Sequence, residues 1–191
     1  LLADDLIYLG DSNPKGKGSF GTEIKYKGIS LNILFDGQFG GKGYSFTNAM
    51  LMEHGKHEKT LPGRYNGIMG DGVIENPDGT YRKNDVVAEE IWTYYTRHGG
   101  RENLEGSMFN TDFLKLRELT LSYSFPARIC KKIGMRKLSV GIYGRDLFMI
   151  TNWPAFDPEF GTLNNGTIDK GFEIAQFPAT RNFGVKLNIE F

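Results

Sequence analysis

A single cysteine, Cys130, is all the thiol that this 191-residue chain carries, so no internal disulfide can hold it together. It sits in Ile129-Cys130-Lys131-Lys132 without a neighbouring histidine or carboxylate to activate it, and a structural role is expected. No apolar run approaches the ~18 residues of a membrane-crossing helix, which excludes helical insertion. No charge of one sign prevails either. With 23 basic and 23 acidic residues the net charge is zero, so no global field points to nucleic acid or anionic lipid.

Catalytic and ligand-holding patterns are equally sparse. His54, His57 and His98 form no convincing metal set. Asp71, Asp78 and Asp85 recur in a turn-rich stretch at the wrong spacing for a compact calcium loop, and turn chemistry accounts for them. Gly40-Gly41-Lys42-Gly43 lacks the full phosphate-loop pattern. No serine, histidine and acid are placed as a triad, so neither catalytic residues, metal nor cofactor are expected. Leu1-Leu2-Ala3-Asp4-Asp5 lacks the basic and apolar parts of a secretory leader. Either such a leader was removed or the chain is the end of a longer one; the strand arithmetic below fits the second better.

What is abundant is glycine, with 25, and phenylalanine, with 14, a composition that suits strands and turns. Strands show as alternation. Arg181, Phe183, Val185, Leu187, Ile189 and Phe191 share one face; Asn182, Gly184, Lys186, Asn188 and Glu190 share the other. A soluble domain usually lets its last residues fray, whereas an outer-membrane barrel ends on a strand with an aromatic residue at the membrane rim.

Other segments repeat the pattern. Phe20, Thr22, Ile24 and Tyr26 alternate with Gly21, Glu23 and Lys25; Ile29, Leu31, Ile33, Phe35 and Phe39 alternate with Ser30, Asn32, Asp36 and Gln38, with Leu34 the misfit. Lys27-Gly28 between them is a tight turn. Leu119, Leu121, Tyr123 and Phe125 alternate with Glu118, Thr120, Ser122 and Ser124, and Leu138, Val140 and Ile142 with Ser139, Gly141, Tyr143 and Arg145. The lengths match the roughly ten residues of a tilted strand crossing a bilayer.

These observations predict an all-β fold: an antiparallel transmembrane β-barrel segment with long external loops. With the end of the last strand at the periplasmic side, the 126–136 connection and the Lys27-Gly28 turn are periplasmic and the 40–112 connection is external. Short turns thus fall on one side and long loops on the other, as in bacterial outer-membrane barrels. About five strands are too few, and of the wrong parity, for an ordinary closed barrel, and an open sheet in lipid leaves unsatisfied edges. Further strands must exist elsewhere.

Five motifs then carry a family resemblance. Phe113-Leu114-Lys115-Leu116-Arg117-Glu118-Leu119-Thr120-Leu121-Ser122-Tyr123-Ser124-Phe125-Pro126 resembles the "fLKLRelsLsYtfP" strand of SusC/RagA-like TonB-dependent outer-membrane transporters. Gly144-Arg145-Asp146-Leu147-Phe148-Met149-Ile150-Thr151 is similar to its "GrNLFtiT" strand end, with Asp146 in place of the usual Asn. Phe156-Asp157-Pro158-Glu159 resembles its "fDPE" loop, and Phe177-Pro178-Ala179-Thr180-Arg181-Asn182-Phe183 its "yP.pRtf" entry to the last strand. Upstream, Leu9-Gly10-Asp11-Ser12-Asn13-Pro14-Lys15 is similar to its "iGnpnPk" approach.

The resemblance implies the C-terminal part of a barrel of about 22 strands with an N-terminal plug that lies outside this chain. It implies import of glycans, oligosaccharides or peptides across the cell outer membrane with TonB-supplied energy. The implied partners are a SusD-like surface lipoprotein, the TonB complex acting through the missing plug, the barrel-assembly machinery and the lipid bilayer. Phe191 would be the assembly signal.

The remaining residues leave alternatives open. Asn84-Asp85 is expected to cap one short loop helix through Val86–Tyr95, stopped by Gly99-Gly100, with Trp92 and Tyr95 on neighbouring parts of one face. Those two, with Trp153 and Phe156 in the second external loop, are candidate substrate contacts; packing inside folded loops would use the same residues. Lys115, Arg117 and Glu118 near the outer rim read as pairing across strands or with the lumen, or as solvated rim charges. Gly141, Gly144 and Gly184 either clear space beside a plug or mark bulges. Pro126 ends its strand, and Lys131, Lys132, Arg136 and Lys137 read as a solvated turn rather than a nucleic-acid site. The competing class is a soluble secreted β-sandwich that binds carbohydrate, with the same apolar stripe turned inward.

Overall fold

The computed structural model describes residues 6–164 and 167–191. The leader reading of Leu1–Asp5 lies outside the described residues. The chain divides into two compact units, one holding residues 10–42, 110–159 and 177–191, the other residues 1–9, 43–109 and 160–176.

The first unit is a five-stranded sheet. Its strands are β1 (Gly16–Tyr26), β2 (Ile29–Phe39), β3 (Phe113–Ser124), β4 (Lys137–Thr151) and β5 (Asn182–Glu190), paired in chain order as antiparallel neighbours. Lys27 and Gly28 both take positive φ, 46° and 88°, as a two-residue hairpin turn requires. β3 stops before Pro126, whose carbonyl accepts from Ile129 and Cys130 as helix α3 (Ala127–Lys132) begins. Cys130 is the fully buried residue of that helix.

The registers put Ile24, Leu31, Leu121, Ile142 and Val185 in one row across all five strands, with Tyr26, Ile29, Tyr123, Val140 and Leu187 beside it. This face is open, most visibly at Phe183, 75% exposed. The opposite face carries Lys25, Ser30, Ser122, Gly141 and Lys186. On that polar face Gly184 lies directly under the Tyr143 ring, where an added Cβ would meet ring atoms at 2.5 Å. Room for a cross-strand ring is therefore the role seen for this glycine.

Arg117 interrupts the alternation. The β2 register jumps from Leu116 to Glu118, and so does the β4 register, where Asp146 and Leu147 are also skipped. The bulge flips the phase of β3. Leu114 and Leu116 below it share the apolar face with Leu119 and Leu121 above it, while Phe113 and Lys115 turn to the polar face opposite Gln38 and Asp36.

The second unit is organised by α1 (Phe46–Glu53) and α2 (Ile91–Gly99). Ser45 caps α1 through Asn48 N. Glu173, fully buried, reinforces that end by accepting from Ser45 Oγ (2.8 Å), Thr47 N (3.1 Å) and Thr47 Oγ1 (2.5 Å), and its negative charge suits the helix N-terminus. Asn48 Nδ2 donates to Ser107 Oγ, which donates to the Gly99 carbonyl, tying the two helices by buried polar links.

The expected helix from Val86 to Tyr95 is corrected: α2 starts at Ile91 after Glu90, which makes no side-chain cap. Asn84 Oδ1 instead accepts from Val86 N in an Asx-type turn, and Ala88 pairs with Ile68 as an isolated antiparallel bridge. Those extended contacts consume the backbone that a helix would need. Gly100 follows the helix as expected. No helix among the described residues is long and apolar enough to cross a membrane.

Candidate functional site

The bulge in β3 aims two cations at four carboxylates. Lys115, 2% exposed, donates through Nζ to Asp157 Oδ1 and Oδ2 (2.6 and 2.7 Å) and to Glu159. Its ammonium also lies 4.6 Å from the Phe113 ring centroid. Arg117 spans Asp36 (2.6 Å), Asp146 (3.0 Å) and Glu159 (2.6 Å). Beside them Arg145 reaches Glu118 at 3.2 Å.

Charge alone does not explain the arrangement. Removing one partner of such a buried pair typically costs about 3–5 kcal/mol because the other charge is stranded, so the network fixes geometry more than it adds net stability. What it fixes is the 152–159 loop, held to the middle of the sheet through Asp157 and Glu159. Asp146 stands at φ 52°, the left-handed region that Asn and Asp tolerate better than other side chains. An Asn there would keep the backbone but contribute no charge to Arg117.

A cavity of about 400 Å³ opens beside the network, lined by Lys115, Asp146, Met149, Phe156, Asp157 and Arg181 among others. It lies where β5 stops pairing with β4 after Asn182 and Arg145. The Arg181 guanidinium, two carboxylates and the Phe156 ring give this pocket both polar and apolar lining, while the Lys115 ammonium is held by Asp157 and Glu159.

The solvated-rim reading of Lys115 is overturned by its burial. Of the four candidate substrate contacts, Trp92 is 61% exposed and Phe156 is 45% exposed, with Phe156 alone lining the cavity. Tyr95 is 7% exposed and gives its hydroxyl to the Pro62 carbonyl at 2.9 Å, so it packs the loop unit; burial pushes its phenol above the ordinary value. Trp153 is buried as well. The four do not form one surface. Phe191 follows the last strand residue and is exposed.

The histidines serve local structure: His57 Nδ1 accepts from Lys59 N at 3.1 Å, and His98 stacks on Tyr94 at 4.1 Å. No cluster of three or more His, Cys, Asp or Glu suited to a metal occurs among the described residues. Asp78 accepts from Thr80 N and Oγ1, the turn chemistry its sequence suggests. Asp36, Asp146, Asp157 and Glu159 are the network residues whose pairing is not legible in the sequence. The available signal was the phase change from Leu114 and Leu116 to Leu119 and Leu121 around Arg117.

No protein-family model matches the chain. It is 27% identical over 191 residues to TonB-dependent receptor P39 of Formosa agariphila, covering 99% of this chain and 17% of that protein. TonB-dependent receptor P3 of the same organism is 24% identical, with 98% and 17% covered. The RagAB peptide importer in its closed-closed state superposes with a TM-score of 0.66 at 18% identity, covering 95% of this chain and 18% of that chain. Its open-open state gives 0.60, with 94% and 17% covered.

The chain is similar, over nearly its whole length, to a segment of TonB-dependent receptors. It spans about a sixth of the length of the curated relatives it matches. TonB-dependent receptors are outer-membrane proteins, and the mostly-β fold matches a segment of such a receptor without closing into a barrel by itself.

Proposed function

We propose that this TonB-dependent receptor segment is the C-terminal five-stranded wall portion of an importer whose barrel has about 22 strands, closed by strands outside this chain. One observation carries the reading: an exposed apolar face runs through all five strands while the opposite face is polar and charged. In water an exposed apolar face that runs through five strands is a liability; in lipid it is the stable arrangement. The sheet's first and last strands, β1 and β5, are the edges that further strands would satisfy. A soluble sandwich requires that face to be packed inward, which its exposure does not favour.

The parent would import glycans, oligosaccharides or peptides. Support comes from the relatives being TonB-dependent receptors, from the likeness in fold to a peptide importer, and from the cavity beside Phe156. Trp92 and Phe156 are the exposed candidates for substrate contact. A SusD-like surface lipoprotein, TonB energy reaching a plug outside this chain, and the barrel-assembly machinery are the partners this reading requires. Uptake by cells lacking the parent gene tests it. Loss of uptake for one of these classes, reproduced when the membrane potential is collapsed, is expected; undiminished uptake of all of them would refute the importer reading.

A further inference from the structure

The connection between β3 and β4 is basic and apolar, and aromatic residues lie beside it. Between Pro126 and Lys137 the sequence places Arg128, Lys131, Lys132, Arg136 and Lys137 without one acidic residue. Glu190 answers Lys137 at 3.0 Å and Arg136 at 3.7 Å. No carboxylate lies in ion-pair range of Arg128, Lys131 or Lys132 among the described residues. Ile129 and Ile133, four residues apart and so on one side of α3 and its continuation, are both exposed, whereas Cys130 is buried and its Sγ lies 3.6 Å from the Phe125 carbonyl. Buried Cys130 thus anchors the helix with its isoleucines and cations turned outward.

The neighbouring strand ends supply the aromatic part. Tyr26 and Tyr123 occupy the hairpin end of the apolar face, each exposed, and Phe125 meets Tyr123 edge-on at 5.0 Å. Lys27 sits 5.2 Å from the Tyr26 ring. Aromatic girdles mark where a barrel's apolar band meets headgroups, and exposed apolar residues flanked by cations are what an interfacial helix presents to anionic lipid.

We propose that α3 and the Tyr26–Tyr123–Phe125 cluster form a docking surface for anionic phospholipid, with Ile129 and Ile133 reaching the acyl boundary and Arg128, Lys131 and Lys132 holding the headgroup phosphate. The inference rests on the membrane reading of the apolar face and adds to it a lipid preference. Continuity with that face selects lipid over an acidic protein, which the charges would recognise but the paired isoleucines and rings would not.

The test uses the full receptor, purified and delipidated in neutral detergent, with dioleoyl phosphatidylglycerol and dioleoyl phosphatidylcholine as probes and bound lipids counted by native mass spectrometry. The wild type is expected to retain several-fold more phosphatidylglycerol than phosphatidylcholine. R128Q/K131Q/K132Q should bring the two to parity while the heat-dependent gel shift of a folded barrel is kept. I129S/I133S should lower both lipids together, and K56Q/K59Q/K83Q, which removes three loop cations, should change nothing. A preference that survives R128Q/K131Q/K132Q, or one lost equally in K56Q/K59Q/K83Q, overturns the proposal. A receptor that binds neither lipid and stays monodisperse without detergent overturns the membrane reading itself, a distinguishable failure.

Discussion

The two units of the chain arrange their apolar side chains differently. In the unit built from 43–109 and 160–176, Ala49, Met52 and Tyr95 are buried, and buried polar groups such as Asn48, Ser107 and Glu173 are hydrogen-bonded, as in a protein folded in water. In the sheet unit the most exposed large side chains include Phe20, Phe183, Val185 and Ile142, while one of the most buried is a lysine. What sets the sheet apart is that its exposed apolar side chains form one continuous face across the strands, an arrangement that suits lipid better than water.

The largest effect that would sharpen this contrast is at Lys115. Replacing it by alanine removes the buried cation that Asp157 and Glu159 share, and the parent protein is expected to lose about 3–5 kcal/mol of stability and to expose its 152–159 loop to proteases. A loss under about 1 kcal/mol would show that the network is solvated after all.

Next come the two faces of the sheet. Leu121→Arg or Leu187→Arg should impair folding by about 2–4 kcal/mol near mid-bilayer, with Ser122→Arg and Asn188→Arg milder because they lie on the polar face. Folded fraction by heat-dependent gel mobility gives the comparison, and equal losses on both faces would break it. By the same assay, deleting Phe191 should reduce folded receptor with synthesis unchanged if the aromatic end is read during assembly; an unchanged fraction leaves it as rim hydrophobicity alone.

The smallest effect belongs to the water-like unit. Arg101 holds Glu53 through two bonds of 2.7 and 2.8 Å and keeps its carboxyl below the ordinary value. A depressed carboxyl stabilises above the unfolded value of about 4.3 and loses that contribution as pH falls through the folded one. Arg101 is half exposed, so Glu53→Gln should cost less than about 1 kcal/mol at neutral pH, with the difference from wild type in urea midpoints shrinking as pH falls through the depressed value of the folded carboxyl. A difference that persists in acid would exclude the ion pair as its source.

Sequence carried the sheet well because period two is local: each strand announces its own faces, and Lys27-Gly28 announces its turn. The loop unit was nearly illegible. Glu173 meets Ser45 across 128 residues, and Asn84 was misread as a helix cap because its competing partner, Val86, gives no signal of its own. The ion network fell between these cases. Lys115 and Arg117 were noticed, but their partners come from β2, the Asp146 turn and the Asp157–Glu159 loop, which only the pairing of strands brings together.

Whether the apolar face meets lipid is read most directly by spin labels. In a receptor carrying Cys130→Ala, single cysteines are labelled at positions 183–189 and 114–121 in a bilayer, and collisions with oxygen and with a water-soluble nickel chelate are compared. Oxygen should dominate at 183, 185, 187 and 189, with the chelate dominating between them. On β3 oxygen should dominate at 114 and 116 and then, across the Arg117 bulge, at 119 and 121. Alternation without that change of phase, or chelate access on both faces, would contradict the account.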